Sequence, residues 1–257
     1  MKTVAITRKV SPAIAQCELT YLERTPIDLD LAEQQHAAYE ALLARLGCHL
    51  TSLPAEPELA DSVFVEDPAI VLDEVAIITR PGAASRRPER ATIAEALAPY
   101  RQLIHIAAPG ILDGGDVLRV GKRLWVGLTA RSNQAAIDQL QTALAPYGYS
   151  VSGAQVTGCL HLKSAVTHLG NNLLLLNPAW VDPAHFPGCD HIAVDPSEPH
   201  AANALAVNGA IVYPTSYPRT LARLQAAGLA VHTVPATELI KAEGAVTCCS
   251  LVFEIHD

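Results

Sequence analysis

The sequence has no excess of positive charge, no CxxC pair, no long apolar run and no GxGxxG turn. Each absence closes a class of function. With 18 Lys and Arg against 26 Asp and Glu, the formal net charge is −8. No basic surface is available to neutralise a phosphate backbone, so nucleic acid is not an expected partner. An acidic chain must place its few basic groups deliberately if it is to hold an anion. The longest apolar runs, such as Leu173–Leu176, fall far short of the ~18–20 residues of a membrane span, and no membrane association is expected. The opening "MKTVAITRKV" puts Arg8 and Lys9 where a secretory signal carries its apolar stretch.

The six cysteines (Cys17, Cys48, Cys159, Cys189, Cys248, Cys249) include no CxxC, which argues against structural zinc. Cys248 and Cys249 are adjacent, and neighbours rarely pair because the eight-membered ring strains the peptide. Free thiols in a reducing cytoplasm are the expectation. With no glycine-rich turn after a first strand, the usual dinucleotide fingerprint is also missing.

What is present is a core-forming composition. Half of the 257 residues are apolar and 17% are charged, enough to bury a sizeable core and too little charge for disorder. No linker, low-complexity tract or charge block marks a boundary, so residues 1–257 read as a single domain. Residues 34–46 carry apolar positions at helical spacing. Further helices are expected at 89–98, 131–145 and 217–227, with Thr129 or Ser132 capping the second of these. Between them lie β-rich stretches at 62–81, 113–128, 161–177, 203–215 and 247–255. Four of these read as hairpins, turning at 73–74, 121–122, 170–172 and 208–209. The modules recur every ~40–50 residues, within the range of known repeat periods. The antiparallel hairpins favour a repeat architecture over a doubly wound sheet.

Polar clusters stand at the ends of these β stretches: Asp61, Glu66 and Asp67; Asp113 and Asp116 around two glycines; His161; and "TCCS" with Cys248 and Cys249. Taken singly, each has an ordinary structural reading. DGGD is usually a turn, a lone histidine is usually hydrogen-bonded in place, and a buried cysteine is usually inert. In a ring of modules, however, such strand ends converge on one cavity.

In order along the chain, "FVEDPA", "TRPGAASRRPE", "LDGGDVL", "HLK" and "TCCS" resemble the dimethylarginine dimethylaminohydrolase family, from about Leu19 to Cys249. The resemblance implies an α/β-propeller of the pentein type, with five ββαβ modules around a pseudo-fivefold axis and a central active site. It implies that Cys248 is the nucleophile, His161 the proton donor and later the base, and Asp113 the carboxylate orienting that histidine. Asp67, with Glu66 and Asp61, would bind the guanidinium. Arg86 and Arg131 would hold the substrate's α-carboxylate. Leu19, Asp61 and the backbone near Ala242 would contact the amino-acid end, with Leu19 in a lid. Asp116 is read as a turn residue and His168 as structural or exposed.

The chemistry fits these residue types. A guanidinium carbon is a poor electrophile, so attack needs a polarisable thiolate, and a bound cation favours that thiolate. The departing amine must be protonated, which suits a histidine. An arginine fork suits a carboxylate. The implied reaction is hydrolysis of Nω-methylated arginine to citrulline and methylamine or dimethylamine, through a covalent thiouronium on Cys248. No metal or organic cofactor is expected. A homodimer in the cytoplasm is expected. The alternatives are an arginine deiminase-like or other ω-substituted-arginine hydrolase, and a non-catalytic amino-acid-binding protein that kept the pocket.

Overall fold

The computed structural model describes residues 2–255. The chain folds as five small mixed sheets of three strands each. The first module holds β1 (Lys2–Arg8), α1 (Leu29–Arg45) and β2 (His49–Leu53). The second holds β3 (Ala69–Val71), β4 (Val75–Ile78), α2 (Arg90–Leu97) and β5 (Gln102–His105). The third holds β6 (Val117–Val120), β7 (Arg123–Leu128), α3 (Gln134–Leu144) and β8 (Ser150–Gln155). The fourth opens on a single turn, α4 (Leu162–Ala165), followed by β9 (Val166–Gly170), β10 (Leu173–Leu176) and β11 (Asp190–Ala193). The fifth holds β12 (Leu205–Val207), β13 (Ala210–Pro214), α5 (Pro218–Ala226) and β14 (Val231–Val234). A short α6 (Thr237–Ile240) then leads to β15 (Leu251–Ile255).

Each module has one antiparallel and one parallel pairing. An inner strand turns back through a tight hairpin onto the middle strand, and a crossover returns the outer strand parallel to the middle one. Such a crossover needs length, and a helix supplies it. The fourth module is the exception, where a 3₁₀ turn at Pro183–His185 stands in for the helix. The first module is assembled from both ends of the chain: β15 pairs antiparallel with β1, Val4 opposite Phe253, and β1 pairs parallel with β2. The ring thus closes through hydrogen bonds between the two ends of the described chain.

Local sequence explains the elements. Asp28 accepts the Leu31 N–H and starts α1. This is earlier than the expected start at 34, because Ala32 extends the buried stripe that Tyr39, Leu42 and Leu43 continue. The hairpin at Asn208–Gly209 has both residues at positive φ, 48° and 77°, as a type I′ turn requires. Helix α3 is capped by Asn133, which accepts the Ala136 N–H. Thr129 and Ser132, expected in that role, point elsewhere. Leu140 and Leu144 of α3 are fully buried between the second and third sheets, each side chain contributing ~1.5–3 kcal/mol.

Among the inner strands, β6 lies against β9, β9 against β12, and β15 against β3. From the hairpin-turn side, an open channel runs along the axis between them, passing Val71, Arg119, His168, Ala206 and Val252. At its inner end stand Glu66, Lys163 and Thr247. The opposite end of every inner strand is where the polar clusters sit.

Candidate active site

Asp67 precedes β3, Asp113 and Asp116 precede β6, His161 precedes α4 and β9, Asn203 precedes β12, and Cys248 precedes β15. Five modules therefore deliver their polar residues from the same structural position. A small cavity of ≈ 20 Å³ lies there, with Asp61, Asp67, Arg86, Arg131, His161, Ala242 and Cys248 on its wall together with Phe64 and Leu160. Leu19, Glu66 and Asp113 do not line it.

His161 is 5% exposed. Its Nε2 lies 3.0 Å from Asp113 Oδ2, and its Nδ1 lies 4.0 Å from Asp67 Oδ1. Burial pulls its pKa down, but Asp67 and Asp113 outweigh that and lift it to about 9. The ring is therefore an imidazolium at neutral pH. Burial pushes Asp67 up in turn, yet His161 and Arg86 hold it at about 2. Gly115 makes this closeness possible. Its N–H donates to Asp67 Oδ1 at 2.9 Å, and a Cβ there would lie 2.7 Å from His161 Nδ1 and 2.8 Å from Asp67 Oδ1.

Arg86 is 4% exposed and heavily engaged. Its Nε and Nη2 donate to both oxygens of Glu89, at 3.0 and 2.8 Å, and Nη1 donates to Asp67 Oδ2 at 2.5 Å. Nη2 also reaches the carbonyls of Asp61 and Phe64. These bonds leave one Nη1 N–H for a ligand. Glu89, which the sequence reading passed over, is pushed up to about 7 by burial, against the pull of Arg86. Its i,i+3 spacing from Arg86 was a readable signal.

Cys248 is partly exposed on the cavity wall, while Cys249 is 4% exposed in the core and donates to the Ala245 carbonyl. The two side chains part although the segment is a turn rather than extended chain. Burial raises the Cys248 thiol well above its ordinary pKa, and Glu66 and Asp67 raise it further. The loop is pinned from three sides. Tyr39 of α1 donates to the Val246 carbonyl and meets the Ser250 hydroxyl. Asn203 accepts the Thr247 N–H and donates to the Thr247 hydroxyl. Thr247 in turn donates to Glu66, whose other oxygen takes Lys163 at 2.6 Å. Glu66 thus borders the axial channel behind the cysteine. Lys163, Asn203 and Tyr39 carried no sequence signal beyond the "HLK" motif that contains Lys163.

The remaining wall is an irregular segment laid over the site. Residues 17–28 cross the site without regular structure. Asp61 accepts the Glu18 N–H with both oxygens. Glu243, at φ 57°, accepts the N–H groups of Thr20, Tyr21 and Leu22 at 3.0, 2.5 and 2.6 Å. Arg131 Nη2 reaches the Thr20 hydroxyl at 3.3 Å, and its Nη1 is 3.6 Å from Asp113. Leu19 packs against the core cluster under α1, and Ala242 is buried beside Glu243.

Asp116 is no simple turn residue. It is fully buried and accepts from Thr129, Ser132 and the Leu162 N–H, which is why those two hydroxyls do not cap α3. His168 lies half-buried on β9, its Nε2 without a hydrogen-bond partner among the described residues. Asp67, Asp113 and His161 are the trio among the described residues whose ligating atoms fall within 4.8 Å. Those atoms are already committed to one another and to Arg86.

The chain is 36% identical over 228 residues to an N(G),N(G)-dimethylarginine dimethylaminohydrolase of Pseudomonas aeruginosa, covering 88% of this chain and 90% of that one. It is 37% identical over 256 residues to one of Streptomyces coelicolor, covering 98% of both. No protein-family model matches. Among solved structures, it superposes on a cysteine-to-serine mutant of the Pseudomonas aeruginosa protein complexed with citrulline, with a TM-score of 0.94 and 34% identity. That match covers 98% of this chain and all of the other. A histidine-to-glycine variant carrying an S-methyl-L-thiocitrulline adduct matches with a TM-score of 0.93 at 34% identity, over 98% of this chain and 100% of that one. The N-terminal domain of the arginine dihydrolase ArgZ shares the fold, with a TM-score of 0.84 at 19% identity, over 98% of this chain and 97% of that domain.

Proposed function

This chain belongs to the dimethylarginine dimethylaminohydrolase family, and we propose that it hydrolyses Nω-methylated arginines to citrulline and methylamine or dimethylamine. The observation that carries the reading is the meeting of Cys248, an imidazolium His161 and the carboxylate Asp67 on one cavity wall.

Asp67, one of the two carboxylates that raise the resting thiol, is the group on the cavity wall that a guanidinium would pair with. Binding the cation offsets its charge, and the thiol proton is then lost to solvent more easily. The Cys248 thiolate attacks the guanidinium carbon, forming a C–S bond. The C–N bond to the methylated nitrogen breaks as His161 delivers a proton to the departing amine. The thiouronium left on Cys248 is attacked by a water that the now neutral His161 deprotonates, and the C–S bond breaks to give citrulline. Asp113 holds the ring throughout. Arg131, with the spare N–H of Arg86, takes the α-carboxylate, while Asp61, Leu19 and the backbone at Ala242 receive the amino end. Glu66 supports the site's negative charge from behind.

A cavity of ≈ 20 Å³ holds about one water, so substrate entry requires the lid to lift. The pairing of β15 with β1 in one sheet supports a single catalytic domain over the described residues. The six free thiols fit a cytoplasmic location. A steady-state assay should find citrulline formed from asymmetric dimethylarginine and monomethylarginine, with little from arginine. Faster citrulline and ammonia release from arginine would replace this reading with a deiminase, and no turnover of either substrate would replace it with a binding protein.

A further inference from the structure

Asp116 sits at the end of the 3₁₀ turn Gly114–Asp116 and has no solvent exposure. Its oxygens meet three donors, each leading to a different part of the site. Oδ1 accepts the N–H of Leu162 at 2.9 Å, the residue that follows His161. Oδ2 accepts the Ser132 hydroxyl at 2.6 Å, and the same Ser132 oxygen accepts the N–H of Asp113. Oδ2 also accepts the Thr129 hydroxyl at 2.7 Å, and Thr129 accepts the N–H of Arg131. The neighbouring strand makes room for this: a Cβ on Gly127 of β7 would stand 2.6 Å from Asp116 Oδ1.

No cation pairs with Asp116 among the described residues, and its three hydrogen-bond donors are all neutral. The titratable and charged groups around it are Asp113 on its own turn, His161 and Cys159 before α4, and Arg131 in the loop after β7. Asp67 lies beyond His161. Of these, the imidazolium is the group that offsets the buried carboxylate. A buried carboxylate with no directly paired cation is costly, so one kept there needs a reason that a turn does not supply.

We propose that Asp116 is a positioning residue for the reaction. One buried carboxylate holds the backbone beside His161, the Asp113 carboxylate and Arg131 in mutual register and places a buried negative charge behind the ring. The proposal rests on the reading of His161 as the acid. Burial pushes Asp116 itself up to about 6, and His161 with the hydroxyl donors pulls against that. The imidazolium and this carboxylate therefore support each other's charge.

The test is Asp116→Asn, which keeps the size and an acceptor for the Leu162 N–H while the two hydroxyls turn to accept. The His161 ring is titrated by NMR in the free parent and variant, with its signal assigned by His161→Gln. The midpoint should fall by about one pH unit or more, and the alkaline limb of kcat should move down with it. An unchanged midpoint in a variant that melts like the parent overturns the proposal. The titration is read without turnover, so a wrong substrate assignment leaves it intact. A second variant, Thr129→Val, cuts the arm to Arg131 together with one donor to Asp116, and leaves the arms to Leu162 and Asp113 in place. KM for dimethylarginine should rise about fivefold with kcat changing less than about twofold, and a methylated agmatine, which lacks the carboxylate, should show neither change. Equal losses on both substrates overturn the positioning role.

Discussion

On the acid wall of the site, His161, Asp113, Asp67, Arg86, Glu89 and Asp116 are all buried, and each is bonded to at least one of the others or to the loop that carries it. On the lid wall, residues 18–24 are largely exposed, and they hang on Glu243, Asp61, Ser85 and Arg131 through bonds that water can reach. The first wall cannot lose a member without stranding a buried charge. The second can release its bonds one at a time, because water replaces each partner. The site thus joins a buried, mutually bonded wall to one held by exposed bonds, and Arg131 touches both.

The deepest break should come at the boundary between the walls. Cys248→Ser should lower turnover by at least about a thousandfold, since a serine hydroxyl offers no comparable anion at neutral pH. Cys249→Ser, in the core behind it, should keep turnover within about tenfold and lower Tm instead. The reverse result in a steady-state assay would move the nucleophile to Cys249.

The two arginines sharpen the contrast. Arg86→Ala strands Asp67 and Glu89 in the interior, and removing one partner of a buried pair costs ~3–5 kcal/mol. Its Tm should drop by several degrees, and kcat/KM should fall on substrates with or without a carboxylate. Arg131→Ala should leave Tm near the parent value and raise KM for the full amino acid, losing a charge-assisted contact of ~1.5–3 kcal/mol. Equal melting temperatures for the two variants would show that the Glu89–Arg86–Asp67 chain carries no structural weight.

Stability against pH probes the acid wall, with the buried thiols adding to it only above ~8.5. His161 is raised to about 9 in the fold, against ~6.5 in the unfolded chain. The folded state therefore holds the proton more tightly, and its contribution is complete below about pH 6.5 and lost as pH climbs through 9. Glu89, raised to about 7, works in the same direction between ~4.5 and 7. Tm should decline from pH 6.5 to 9 in the parent and flatten over that window in His161→Asn. Parallel slopes would mean that the imidazolium contributes nothing to folding.

How far the sequence foretold all this divides along physical lines. Hairpin turns were legible because Asn208–Gly209 and the Asn171–Asn172 pair must adopt positive φ, and few residues do so readily. The repeat of β-rich modules was legible from their spacing, and its closure into a ring only from the family motifs. The pairing of β15 with β1 was not, because strands nearly a full chain apart leave no local trace. Arg86 was placed at the substrate's carboxylate by motif, while the structure gives most of its donors to Glu89 and Asp67. Asp116 read as a turn because DGGD does form one. Its second task depends on hydroxyls from another strand end, and those hydroxyls were misread as caps for a helix that Asn133 caps.

The smallest effect should come from the lid's own latch. Glu243 gathers three successive backbone N–H groups on one carboxylate, an arrangement in which the full negative charge matters more than any single bond. Glu243→Gln keeps one oxygen as an acceptor and adds an NH₂ that faces the lid's donors. The lid should spend more time open, so the amides of Tyr21 and Leu22 should exchange with solvent several-fold faster while those of α1 keep their protection. Substrate then meets an open site more often but is enclosed less firmly. KM should shift by about two- to fivefold, with kcat reduced only if closure is slower than chemistry. No hydrogen bond or ion pair among the described residues joins Glu243 to the buried acid wall, so the His161 titration should be untouched. A large fall in kcat together with a displaced His161 midpoint would show that the two walls move as one body, and that the lid does not open independently of the acid.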